Sequence, residues 1–179
     1  SGNFIWAKAF GSTSTDFGLS ITVDASGNVY ATGYFKGTVD FDPGAGTFYL
    51  NSAGGSGDVF IKKLAASCNF IWSKDFGSTL DERGLSITVD GSGNVYATGY
   101  FQGMVDFDPG VGSFNLTSAG NNDVFIQKLD AAGNFLWAKA VGSTNIDNGY
   151  SIAVDPSGNV YTTGYFQGTI DFNPGAGIF

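Results

Sequence analysis

The sequence predicts an all-β fold made of β-propeller blades: small four-stranded antiparallel sheets, present as about 2.75 repeats of 65–66 residues that form an incomplete ring. Three observations carry this. The stretch "DASGNVYATGYF" from Asp24 returns as "DGSGNVYATGYF" from Asp90 and as "DPSGNVYTTGYF" from Asp155. Short β-branched and aromatic runs are separated by turns rich in Gly, Ser, Thr and Asn, with 28 glycines in 179 residues, which is the composition of strands and tight turns rather than of helices. The strands also carry apolar residues on both faces, and a sheet that is apolar on both faces must be covered twice.

Aligning "NFIWAKAFGST" at Asn3, "NFIWSKDFGST" at Asn69 and "NFLWAKAVGST" at Asn134 divides the single segment 1–179 into repeats 3–68, 69–133 and 134–179, the last of them truncated. A repeat of this length suits units that stack, each covering a face its neighbour leaves bare.

The elements follow in order. Leu19, Ile21 and Val23 alternate with Ser20 and Thr22, so a first strand is expected at 19–23, and likewise at 85–89 and 150–154, innermost in each blade. "DASGN" then supplies an Asp that can cap its own turn and a Gly-Asn pair, and "VYATGYF" is the second strand. The insertion "GTVDFDPGAGTFYLNSAGGSG" is expected as a hairpin at the rim. "DVFIKKL" from Asp58 is the third strand, and "AASC" turns it into the fourth, "NFIWSKDF" from Asn69. On that strand strict alternation puts Phe70 and Trp72 on one face and Ile71 and Ser73 on the other. The chain opens on a strand of this outermost type, "NFIWAKAF", and the third copy stops within its insertion. The expectation is therefore that the chain is a portion of a longer propeller, or that it assembles with further copies.

These residues resemble the bacterial SBBP (seven-bladed β-propeller) repeats, through "DVFIQKLDAAGNFLWAKAVGS", an acidic residue two before Gly149, and "SIAVDPSGNVYTTGYF" from Ser151. The resemblance covers the whole chain. It implies a propeller in secreted or cell-surface bacterial proteins, of unassigned function and without known catalytic residues.

Composition excludes several functions. Sixteen acidic and eight basic residues give a net charge of −8, which repels nucleic acid and anionic membranes. No apolar run reaches the ~18 residues of a membrane span, and no signal peptide starts at Ser1, so the chain is expected to be soluble, with any targeting segment removed or outside it. Histidine is absent and Cys68 is the single cysteine, standing where Gly133 stands in the next copy. The usual Cys/His zinc sites, Ser-His-Asp triads and Cys-His pairs therefore cannot be built.

Carboxylates are the remaining candidates. "VDFDPGAG", "VDFDPGVG" and "IDFNPGAG" place Asp40 with Asp42, Asp106 with Asp108, and Asp171 with Asn173, two apart on one strand face. Oxygen ligands in that pattern suit Ca²⁺, the one cofactor the sequence suggests, at Asp40/Asp42 and Asp106/Asp108 rather than in the third copy, where Asn173 removes one charge, and the same residues suit Pro-Gly turns. Asp16, Glu82 and Asp147 precede Gly18, Gly84 and Gly149 by two residues, in connections near the channel, where they can bind a cation or polyhydroxylated ligand or cap the loops. Tyr34, Tyr100 and Tyr165 lie where the second strand leaves the blade and can line a groove. Trp6, Trp72 and Trp137 belong to alternating strands and are expected in the core. Near-identical blades offer the same group repeatedly, whereas acid–base catalysis needs unlike groups, so no enzyme is expected. The function expected is a non-catalytic extracellular scaffold or adhesion module contacting other proteins or copies of itself. The alternative is a lectin-like or calcium-binding propeller with one equivalent carbohydrate or Ca²⁺ site per blade.

Overall fold

The computed structural model describes residues 2–173, and among them there are only strands, turns and loops. The first blade is the sheet β1 (Phe17–Val23), β2 (Val29–Phe35), β5 (Asp58–Leu64) and β6 (Phe70–Phe76), paired in that order. The second repeats it with β7 (Arg83–Val89), β8 (Val95–Phe101), β11 (Asp123–Leu129) and β12 (Phe135–Val141). Of the third, β13 (Asn148–Val154) pairs with β14 (Val160–Tyr165). Each insertion is a two-stranded hairpin: β3 (Thr38–Asp40) with β4 (Tyr49–Asn51), and β9 (Met104–Asp106) with β10 (Asn115–Thr117). The part of the third insertion at 174–179 lies outside the described residues.

Every pairing within the blades is antiparallel. The turns follow the expected chemistry. Asp24 Oδ1 accepts from the amides of Ser26 and Asn28, its Oδ2 accepts from Asn28 Nδ2 and the Tyr30 hydroxyl, and Asp90 and Asp155 repeat all four bonds. The repeated sentence thus encodes a turn together with the tyrosine that latches it.

The turn between β5 and β6 departs from this. Ala65 replaces the capping Asp130 of the next blade, and Cys68 holds φ at 66°, where Gly133 holds 83°. A side chain in that left-handed region is strained, and three bonds of the Asp130 type are missing. Ala65→Asp is therefore expected to stabilise the fold by about 1 kcal/mol, raising the unfolding midpoint by about 2–4 °C in a thermal scan. An unchanged or lower midpoint would show that the Asp cap contributes nothing in this turn.

Two expectations are corrected. Residues 4–10 form no strand, whereas the segments of this type at β6 and β12 each pair with a preceding "DVFI" strand. Phe70 and Trp72 also fall on opposite faces: Phe70 packs with Phe35, Phe41 and Phe60, while Trp72 joins the cluster of Tyr30, Val59 and Ile61. Lys63 pairs with Trp72 but Leu64 with Phe70, so Ile71 is the extra residue of a β-bulge and inverts the parity.

The main core lies between blades. The trailing face of the first, with Tyr30, Val59, Ile61, Trp72 and Phe76, meets the leading face of the second, with Ile87, Val95, Ala97, Phe101 and Phe125. Phe107, from the loop of the second hairpin, plugs this core at 4.9 Å from Phe76 and 5.2 Å from Phe101. Phe41 does the same for the first blade, with Phe35 and Phe60.

Candidate interaction surface

The blade junction is built on the first strands. β7 lies across β1 and β2, with β5 touched lightly, and β13 lies across β7 and β8 in turn. Ser20 Oγ accepts from the Ile87 amide at 3.3 Å, and Ser86 Oγ from the Ile152 amide at 3.2 Å. A Cβ on Gly84 would overlap Thr32 Oγ1 and press on Val59, and a Cβ on Gly149 would meet Thr98 Oγ1 and Val124 in the same way. The two junctions therefore use the same atoms at the same positions.

The acidic residues expected near the channel hold loops. Glu82 accepts from the Ser78 amide and hydroxyl, both at 2.8 Å, and Asp147 accepts from the Ser143 amide at 2.6 Å and the Gln167 amide at 3.0 Å. Asp16 does the same for the amides of Ser12 and Lys36. Each carboxylate ties the loop before its strand to the loop that leaves the second strand. Glu82 and Asp147 are fully buried, and burial raises the Glu82 carboxyl against the opposing bonds from Ser78.

Beside them lies a group that the sequence reasoning missed. The Glu82 amide donates to the Gly57 carbonyl, and the Asp147 amide to that of Asn122. This sets Asp58 next to Glu82 and Asp123 next to Asp147. Asp58 and Asp123 are each 3% exposed, and each leaves Oδ1 unpartnered while Oδ2 accepts one amide. Burial, with the negative charges of Glu82 and Asp75 adding to it, lifts the Asp58 carboxyl to about 7 against the bond from the Ala53 amide. Burial and Asp147 raise Asp123 against the Ala119 bond. The only signal in the sequence was the Asp that opens each "DVFI" strand.

At the hairpins, Asp40 Oδ1 accepts from the amides of Asp42 and Phe48, and Asp106 Oδ1 from those of Asp108 and Phe114. Asp42 and Asp108 each cap the glycine two residues on. Among the described residues, no three Asp, Glu or Cys side chains are grouped to hold a metal ion. Lys62 lies under the first pair, its ammonium 3.9 Å from the Phe10 ring centre, and burial lowers its pKa to about 8 while Asp42 and Asp40 oppose that shift. Gln127 takes its place in the second blade, donating to the Phe107 carbonyl.

Tyr34 and Tyr100 are buried around the first junction. The Arg83 guanidinium lies 4.4 Å from the Tyr34 ring centre, and the Tyr100 hydroxyl donates to Asp81, the ion-pair partner of Arg83. Tyr165 is exposed. Trp72 is buried, whereas Trp6 is exposed and Trp137 half-buried.

Ile21 is 68% exposed, against 4% for Ile87 and 6% for Ile152 at the same position of the next blades. Tyr161 is 58% exposed, against 0% for Tyr30 and Tyr96. A polar cleft of about 500 Å³ separates the turns at Asp90 and Asp155, and an apolar one of about 460 Å³ lies between Val124 and Ile126 of the second blade and Val160 and Phe166 of the third.

The sheets and their stacking define an all-β protein of β-propeller-like repeats. Residues 136–166 match the family described as SBBP, Beta-propeller repeat. The chain is similar to an uncharacterized WD repeat-containing protein of Acanthamoeba polyphaga mimivirus, 27% identical over 192 aligned residues that cover 92% of this chain and 13% of that protein. It is also similar to the regulatory protein FlaEY of Caulobacter vibrioides, 24% identical over 127 residues that cover 69% of this chain and 13% of the relative. The chain thus spans about an eighth of the length of these relatives.

Proposed function

We propose that this chain is a non-catalytic scaffold module of a secreted or cell-surface protein, and that it contacts other proteins through exposed apolar residues of its blades. The observation that carries the reading is a repeated exposed aromatic on the hairpins, Phe48 and Phe114, left 37% and 38% exposed at the same position of the two complete blades. Exposed apolar area of this kind is characteristic of protein contact surfaces. The two complete blades repeat their buried carboxylates, Asp58 beside Glu82 as Asp123 beside Asp147, rather than offering a single constellation of different groups. The likeness to a WD repeat-containing protein and to a propeller repeat family agrees with a protein-binding role.

Photo-crosslinking residues placed at Phe48 and at Phe114 test this. Protein adducts are expected from both positions and not from the exposed Ser92 in the turn after β7. Adducts at neither position, with carbohydrate bound on a glycan array at one equivalent per blade, would replace the scaffold by a lectin.

A further inference from the structure

The partner that the hairpin rims fit is a basic, apolar segment of another protein; this rests on the scaffold reading. We propose that each complete blade docks such a segment on its rim, one apolar side chain against Phe48 or Phe114 and a lysine or arginine on the aspartates beside it.

The rim has the same build in both blades. The Phe48 ring lies 4.9 Å from that of Phe70, and the Phe114 ring 5.0 Å from that of Phe135, each pair inclined at 38°. The residue after Phe70 and the residue after Phe135 are the extra ones of the bulges in β6 and β12, Ile71 and Leu136. They are 44% and 47% exposed. A bulge re-aims a side chain, and both bulges here turn an aliphatic residue out to water. This exposure belongs to the blade and not to its place in the chain. The first hairpin packs Phe41 against Phe10, in a segment without strand structure, and the second packs Phe107 against Phe76 of β6. Phe48 and Phe114 are nevertheless left open to the same extent.

Charge decides the partner. The Phe48 amide donates to Asp40 Oδ1 at 2.8 Å and the Phe114 amide to Asp106 Oδ1 at 2.7 Å, so a carboxylate is fixed beside each aromatic. Asp42 and Asp108 follow two residues on, half-buried like the first pair. Each rim thus sets two acidic groups beside an open apolar patch, in a chain of net charge −8, which draws in a cationic segment and turns away acidic ones. The two rims are not equal. At the first, Lys8 Nζ donates to the Pro43 carbonyl and the Lys62 ammonium lies near the aspartates, whereas Gln127 stands in place of Lys62 in the second blade. The second rim therefore holds the segment more tightly. A partner with two such segments spans both blades and gains by linkage.

Three peptides of equal length test this by fluorescence anisotropy with the 179-residue chain: one alternating Lys with Leu and Phe, one with Glu in place of Lys, and one with Ser in place of Leu and Phe. The first should bind and the other two should not. Its affinity should fall roughly tenfold between about 0.1 M and about 1 M salt, as the Debye length drops from about 10 to about 3 Å. Asp106→Asn/Asp108→Asn keeps the oxygens that cap the loop and removes only charge, and Leu136→Ser changes a side chain outside the core. Each should weaken binding about tenfold, and by more than Asp40→Asn/Asp42→Asn or Ile71→Ser does at the first rim. A Lys peptide that does not bind, a Glu or Ser peptide that binds as well, or folded variants at both rims that bind like wild type overturn the proposal. Adducts from Phe48 and Phe114 to acidic or uncharged segments would sink the basic partner alone; no adducts at either position would sink the scaffold reading with it.

Discussion

Gly99→Val is expected to unfold the middle blade, lowering stability by roughly 3–5 kcal/mol, at the top of the range for a single substitution. On β7, Gly84 pairs with Gly99 and Ser86 with Thr98, so Leu85 is the extra residue of a bulge. The bulge brings the Arg83 carbonyl over the Gly99 Cα, and a Cβ there would overlap that oxygen and press on the Leu85 amide. These neighbours are backbone, so only the ladder itself can move. Gly33 and Gly164 face the carbonyls of Phe17 and Asn148 in the same way, which makes the constraint a property of the repeat. Urea unfolding of Gly99→Val beside Gly91→Ala, whose equivalent in the first blade is Ala25, checks it. Equal midpoints for the two variants would show that the bulge can relax without cost.

Stability is expected to fall as pH rises from about 4 to about 7, and Asp58→Asn is expected to remove much of that fall. A carboxyl lifted from 3.8 to about 7 binds its proton more tightly in the folded chain than in the unfolded one. Between those values the folded state holds more protons, so the contribution is fully present below the unfolded pKa and is lost as pH passes the folded one. The shift corresponds to roughly 2–4 kcal/mol once solvent screening is allowed for. Asp75, Glu82 and Asp123 are raised too, each with burial as the largest cause, and add in the same direction. Asp24, Asp90, Asp106 and Asp130 act oppositely. The hydrogen bonds to their carboxylates hold them below the usual range against some desolvation, so their contribution is lost as pH falls through their folded values. A stability maximum in mildly acidic solution follows. Guanidinium titrations at pH 5 and pH 8 measure it, and a wild-type chain more stable at pH 8, or an Asp58→Asn variant with the wild-type slope, would contradict the assignment.

The strand order, the capped turns and the hairpin insertions were legible in the sequence because they are local. Asp24, Gly27 and Asn28 make their turn within five residues, and an alternating run such as Ser20 to Val23 needs only its own period to be a strand. The candidate site was partly legible. Asp16, Glu82 and Asp147 stood out by position, but the amides they accept from, at Ser12 and Lys36 or at Ser143 and Gln167, meet only when two loops about twenty residues apart in the chain are brought together.

The sequence by itself determined the all-β class, the repeat and its period, and the existence of faces that each blade must have covered. Tertiary structure decided which side chains occupy those faces. One extra residue at Ile71 sends Phe70 and Trp72 to opposite sides, since a period of two inverts with every inserted residue. It also decided that Tyr30 is covered by the second blade, and that Asp58 is buried beside Glu82. Burial is a relation between a residue and a neighbouring blade more than twenty positions away, and local sequence carries no record of that neighbour.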